Sequence, residues 1–226
     1  MASKLPRPVF DSDTTLFAFP PNRDTMGGTA YFIATHHQDE PLNILVDCPA
    51  WDEDCRDFLA IHGGVQYLVI THRGGIGQAK AVQAETQCSI VMQEQEAYLL
   101  PESEVQSFQH EWTLGDRIQL IWTPGHSPGS SCVYDAAHGG VLFTGRHLLP
   151  DRNGHPSPLR TSKTFHWPRQ LRSLKALRDR FTAETLSYLC PGANTGFMRG
   201  KRAIADAYAE LLQIDTDLAA TATPLM

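Results

Sequence analysis

The spacing of apolar residues divides the chain into short strands and amphipathic helices. Tyr31-Phe32-Ile33-Ala34 and Asn43-Ile44-Leu45-Val46-Asp47 are runs of β type, joined by a polar turn over residues 35–41. Residues 52–62 predict a helix, stopped by Gly63-Gly64. Tyr67-Leu68-Val69-Ile70 is a continuous apolar run of buried-strand length. Residues 76–87 predict a helix, 89–92 a strand, and 94–100 a short helix ended by Pro101. Strands follow near 118–122, 131–134 and 141–144. Residues 150–164 hold three Pro and little periodicity, and predict a loop. Residues 168–181 predict a helix with Pro in its first turn, 186–190 a strand, and 199 to about 218 the last helix. Strands alternating with helices around a run of strands predict an α/β layered architecture.

Composition narrows the classes. The 226 residues are 42% hydrophobic and 19% charged, which excludes a disordered, collagen-like or coiled-coil chain. No apolar run approaches the roughly 20 residues needed to span a bilayer. The start, Met1 to Pro6, has no apolar core of a leader, so nothing in it suggests secretion. Cysteines stand at 48, 55, 88, 132 and 190, an odd number without C-x-x-C spacing. Free buried thiols in a reducing, cytoplasmic setting are the expectation.

Residues 1–115 carry 16 acids and 6 bases, and residues 116–226 carry 9 acids and 13 bases. This asymmetry raises a nucleic-acid partner as one reading. The other reading fits the spacing better. Arg169, Arg172, Lys175 and Arg178 recur every third residue, as do Leu171, Leu174 and Leu177, which makes one helix with a solvated basic face. The expectation is no nucleic-acid and no membrane partner. Ten His invite a search for a metal site.

Five landmarks arrive in order. They are a strand ending in Asp47, a strand ending in Thr71-His72, then Thr123-Pro124-Gly125-His126-Ser127-Pro128-Gly129-Ser130, then Leu142-Phe143-Thr144-Gly145-Arg146, then Leu189-Cys190-Pro191-Gly192-Ala193. Together they resemble the metallo-β-lactamase fold superfamily, the glyoxalase II-like metallohydrolases. The resemblance implies an α/β fold of the four-layer αββα sandwich type. It implies a single domain over residues 1–226, with a core of about 28–212.

The family's activity is metal-assisted hydrolysis by two zinc-type ions that share a water, depress its pKa and polarise a carbonyl. Its ligands are His-x-His-x-Asp-His after the second landmark, the His of Thr-Pro-Gly-His, the bridging Asp of Thr-Gly-Asp, and a last His after Pro-Gly. In this chain His72 and His126 match. The other positions hold Gly74, Ile76, Gly77, Arg146 and Ala193. Asp47 matches a family Asp that supports the site loop. Two imidazoles do not complete a zinc site. A guanidinium at the bridging position offers no acceptor and repels a cation. The resemblance therefore points to a member with a degenerate site and no expected cofactor. A single-ion site would need a third ligand such as His147 or His166.

The pocket residues singled out are Asp47, His72, Arg73, Gly74, Gly77, His126, Arg146 and Ala193. His72 and His126 read as hydrogen-bonded remnants of a metal site, as a general base, or as residual metal contacts. The loop His72-Arg73-Gly74-Gly75-Ile76-Gly77 supplies backbone N–H groups, and Arg73 and Arg146 supply charge, for a small anionic ligand. Against this stands the plain reading that glycines fill space left by lost ligands. Cys190 reads as a buried thiol rather than a nucleophile. Ser127, Ser130 and Ser131 lack an acidic partner for a triad. Residues 145–166 would form a lid. Trp51, Trp112, Trp122 and Trp167 would serve a homo-oligomer interface, although core or rim packing is their default.

Two functions follow as expectations. The first is a ligand-binding, regulatory or assembly module built on the old site. The second is a hydrolase of a small ester, thioester or lactone with a noncanonical site, in which zinc or another divalent metal returns.

Overall fold

Period-two alternation and continuous apolar runs build two sheets. The computed structural model describes residues 5–11 and 13–224. The leader reading rests partly on residues 1–4, which lie outside the described residues. The chain divides into two compact units, Met1–Phe108 and Gln109–Met226.

In the first unit the strands are β1 (Arg7–Pro8), β2 (Leu16–Ala18), β3 (Tyr31–Ile33), β4 (His36–His37), β5 (Glu40–Pro41), β6 (Ile44–Val46), β7 (Tyr67–Ile70), β8 (Ser89–Gln93) and β9 (Val105–Phe108). Seven of them form a sheet ordered β1-β2-β3-β6-β7-β8-β9, and β4 pairs with β5 inside the predicted polar turn. From β6 to β9 the pairing is parallel. The helices are α1 (Glu53–Ile61), α2 (Ala79–Thr86) and α3 (Glu94–Ala97). Phe32, Leu45, Leu68, Ile70, Ile90 and Met92 pack with Cys55 and Leu59 of α1 and with Ala79 and Val82 of α2. The alternate residues Ile33, Ile44, Val46, Val69 and Val91 are also buried. Burial on both faces explains why β7 reads as an unbroken apolar run.

The structure shortens two predicted helices here. The Asp52 carboxylate caps α1 by accepting from the Cys55 N–H at 3.0 Å, as a helix start requires. The helix predicted from residue 76 begins at Ala79, because Arg73–Gly75 form a 3-10 turn first. The helix predicted over 94–100 ends at Ala97.

In the second unit the strands are β10 (Glu111–Leu114), β11 (Ile118–Trp122), β12 (Ser131–Asp135), β13 (Val141–Gly145), β14 (Leu149–Pro150), β15 (Pro156–Ser157), β16 (Tyr188–Pro191) and β17 (Ile204–Ala205). The main sheet is ordered β10-β11-β12-β13-β16-β17, and β14 pairs with β15 inside the predicted loop. Only β13 and β16 pair in parallel within it, and α4 (Trp167–Arg180) makes the crossover between them. Leu174 and Leu177 of α4 pack with Cys132, Leu142 and Leu189 of the sheet. The helix predicted from residue 199 is corrected to β17, α5 (Ala207–Gln213) and α6 (Thr216–Ala220), preceded by a 3-10 turn over Thr195–Met198. Asp206 has φ +52°, which breaks helical continuity before α5, and the Asp215 carboxylate caps α6.

The basic side of α4 is only partly solvated. Arg172 and Lys175 are exposed. Arg178 donates to the Leu211 carbonyl at 2.7 Å and to that of Ile214, closing the end of α5. Arg169 lies over the Trp122 ring at 4.9 Å. Replacing fully buried Leu174 with Ala is expected to cost about 2–5 kcal/mol in urea denaturation. Lys175→Ala is expected to stay within about 0.5 kcal/mol, and equal losses would refute this division of the helix.

Candidate functional site

In the first unit the candidate residues gather where the parallel strands β6 and β7 end. Asp47 follows β6 at φ +60° and is buried. Its Oδ1 accepts the Thr71 N–H at 2.8 Å, and its Oδ2 accepts the Thr71 hydroxyl at 2.7 Å. The Thr71 hydroxyl oxygen also lies 3.0 Å from Nδ1 of His72, which is 3% exposed. The hydroxyl proton is committed to Asp47, so His72 Nδ1 carries a proton and donates. Nε2 is then the nitrogen with the lone pair.

The glycine loop closes tightly over this group. A Cβ on Gly75 would overlap Oδ1 of Asp47, and one on Gly74 would fall 2.9 Å from His72 Nε2. Gly77 has φ +43°, and a Cβ there would lie 2.8 Å from that of Cys48. Side chains are excluded from this backbone by the residues it covers. Arg73 turns to α3, where its backbone N–H and Nε meet the fully buried Glu96 carboxylate at 2.9 and 2.6 Å. Its Nε is thereby committed to an ion pair, and the side chain stays half-exposed.

In the second unit the His126 loop is fastened to the start of α4. The carbonyls of Gly125 and His126 accept the N–H groups of His166 and Phe165 at 2.9 and 3.1 Å. Gly125 has φ +145°, and a Cβ on it would overlap the Gln170 backbone. His166 caps α4 by accepting the Arg169 N–H at 3.2 Å through Nδ1, which occupies it structurally. Arg146 lies half-buried just beyond β13. Ala193 is buried after β16, where the Gly192 N–H donates to the Gly145 carbonyl at 2.8 Å. His147 is fully buried, and Nε2 of Gln170 donates to its carbonyl at 2.8 Å. Burial first, and then the neighbouring His126, push the His147 pKa down to about 3.

All five cysteines are free and buried. Burial raises the Cys190 thiol pKa well above its ordinary value, which keeps it un-ionised.

The sequence model for the metallo-beta-lactamase superfamily matches residues 76–186. The chain belongs to the metallo-β-lactamase superfamily. A search of curated proteins finds no match. Among solved structures, a metallo-beta-lactamase superfamily protein from Sulfolobus tokodaii is 16% identical, with TM-score 0.64, over 94% of this chain and 88% of its own. ETHE1 from Myxococcus xanthus is 22% identical, with TM-score 0.58, over 90% and 80%. TTHA1623 in a di-iron-bound form is 19% identical, with TM-score 0.61, over 84% and 96%. These likenesses show the metallo-β-lactamase fold.

One expectation is corrected here. The sequence led us to expect no cofactor, but TTHA1623, a protein of this fold, is described in a di-iron-bound form. Metal is thus part of the chemistry found on this fold. The residues of this chain do not fit the superfamily's two-ion centre. Among the described residues, no three His, Cys, Asp or Glu side chains come together as a metal-holding group.

Sequence reasoning named His72 and His126 but passed over Thr71, Glu96 and Gln170. Gln170 had a readable signal, because it sits on the apolar stripe of α4 beside Leu171 and Leu174. Glu96 had none, since only the fold brings it to Arg73.

His147 makes a pH test. Unfolded, it takes up a proton near pH 6.5; folded, not until about pH 3. Its contribution to stability is complete above pH 6.5 and is lost as the pH falls toward 3. Between pH 7.5 and 5 the native chain is expected to lose about 2 kcal/mol more than the His147→Leu variant, measured by chemical denaturation. Equal losses would refute a neutral buried imidazole.

Proposed function

We propose that this superfamily member binds a small anionic ligand, a carboxylate or phosphate, as a binding or regulatory module built on a degenerate site. The observation that carries the proposal is Arg146. It stands at the end of β13, where the family resemblance places the bridging carboxylate, and it replaces one negative charge with a permanent positive one. Surrounding features support it. The bases between residues 146 and 202 outnumber the acids by 12 to 3. Arg73, tied to Glu96, is left out of the ligand set. The five free thiols support a cytoplasmic setting.

A second reading has its own observation. The Asp47–Thr71–His72 relay fixes His72 as a proton acceptor at Nε2, which suits general-base hydrolysis of a small ester, thioester or lactone.

Thermal unfolding with inorganic phosphate and acetate tests the first reading. Ligand at ten times Kd stabilises by about 1.4 kcal/mol. A rise in Tm is expected for the native chain and a much smaller one for Arg146→Ala. No rise, or the same rise in the variant, sinks it. An ester, thioester and lactone hydrolysis screen, with metal content measured on the same protein, tests the second. Turnover lost in His72→Ala would favour the hydrolase.

A further inference from the structure

His147 is the least satisfied polar side chain in the second unit. It is 0% exposed, and among the described residues neither ring nitrogen has a hydrogen-bond partner. Gln170, equally buried, commits Nε2 to the His147 carbonyl, and its Oε1 has no protein partner either. That bond sets the side-chain amide of Gln170 against the backbone of His147. A neutral imidazole keeps one donor and one acceptor, and the amide oxygen adds another acceptor. Buried polar groups are almost always paired, and ordered water is the usual partner where the protein supplies none.

We propose that ordered water is built into the turn after β13, with one molecule joining the bare ring nitrogen of His147 to Oε1 of Gln170. Such a molecule donates one hydrogen to each acceptor. It would fasten α4 to the residue next to Arg146 by a second link, beside the direct bond from Gln170 Nε2. A cation is the less suitable guest, because Arg146 adjoins His147 in the chain and a permanent positive charge there opposes it. This inference does not depend on anion binding.

The sign of a stability change tests it. If water is bound, His147→Leu strands the Gln170 oxygen, and its Tm should fall by several degrees. The double variant His147→Leu/Gln170→Leu should regain part of the loss. If the site is dry, His147→Leu removes two unmatched polar atoms, and its Tm should rise, which overturns the proposal. A high-resolution crystal structure of the native chain gives a reading independent of the variants' folding. Density for water within hydrogen-bond distance of both groups supports the proposal, and its absence refutes it. Added zinc that raises the Tm of the native chain but not of His147→Leu would assign the place to a cation and also refute it.

Discussion

The carboxylate of Asp47 is the constraint on which the first unit's site depends. Parallel strands β6 and β7 end side by side, and their last backbone groups have no further ladder to join. Asp47 leaves β6 at φ +60°, an uncommon conformation for a residue with a side chain, and spans to Thr71 at the end of β7 with both oxygens. A buried carboxylate is tolerable only with such partners. The rest follows in sequence. Thr71, its hydroxyl hydrogen-bonded to Asp47, orients His72. The 3-10 turn of Arg73–Gly75 then packs Gly75 onto Oδ1 so closely that no Cβ fits. The Cys48 N–H closes the turn by donating to the Gly75 carbonyl at 3.0 Å. Gly75 therefore does more than fill space, because the carboxylate itself demands it.

The second unit reaches a comparable rigidity through backbone contact. Gly125 lies against Gln170, and Gly192 against Gly145. The loop bearing His126 and the residues around Arg146 are thus held to α4 and β16 by groups that tolerate no added side chain. Substitutions at Arg146 or Ala193 change chemistry on a frame that other residues maintain.

Much of this was legible in the sequence, for identifiable reasons. The β7 run, the Gly63-Gly64 stop and the Leu171/Leu174/Leu177 stripe each encode their element locally, and the structure has them. The region from residue 199 was misjudged because its apolar residues keep a helical spacing, while turns at Arg199 and Asp206 need positive φ that such spacing does not report. The site was legible at His72 and His126 through their neighbours in the chain. Arg73 looked like an anion ligand because Glu96, 23 residues away, could not be placed beside it. His147 was read only as a possible third metal ligand, since burial on every side is a property of the folded unit.

Fold likeness decides less about chemistry than the charge at one position. A fold described with two irons in one member offers the same strand ends to every member, and function rests on the side chains set there. In the family pattern the end of β13 presents an anion, and bound cations complete the site. Here the same place presents a guanidinium, which is protonated at every physiological pH and carries five donors but no acceptor. Changing a carboxylate to a guanidinium moves the local charge by about two units. A guanidinium there opposes a cation and suits the anionic ligand of the proposed reading. His126, in the same unit, donates or accepts hydrogen bonds while neutral, so it is compatible with either guest and decides nothing alone. In the proposed reading, Arg146 is therefore the residue that sets the class of ligand for the second unit's site.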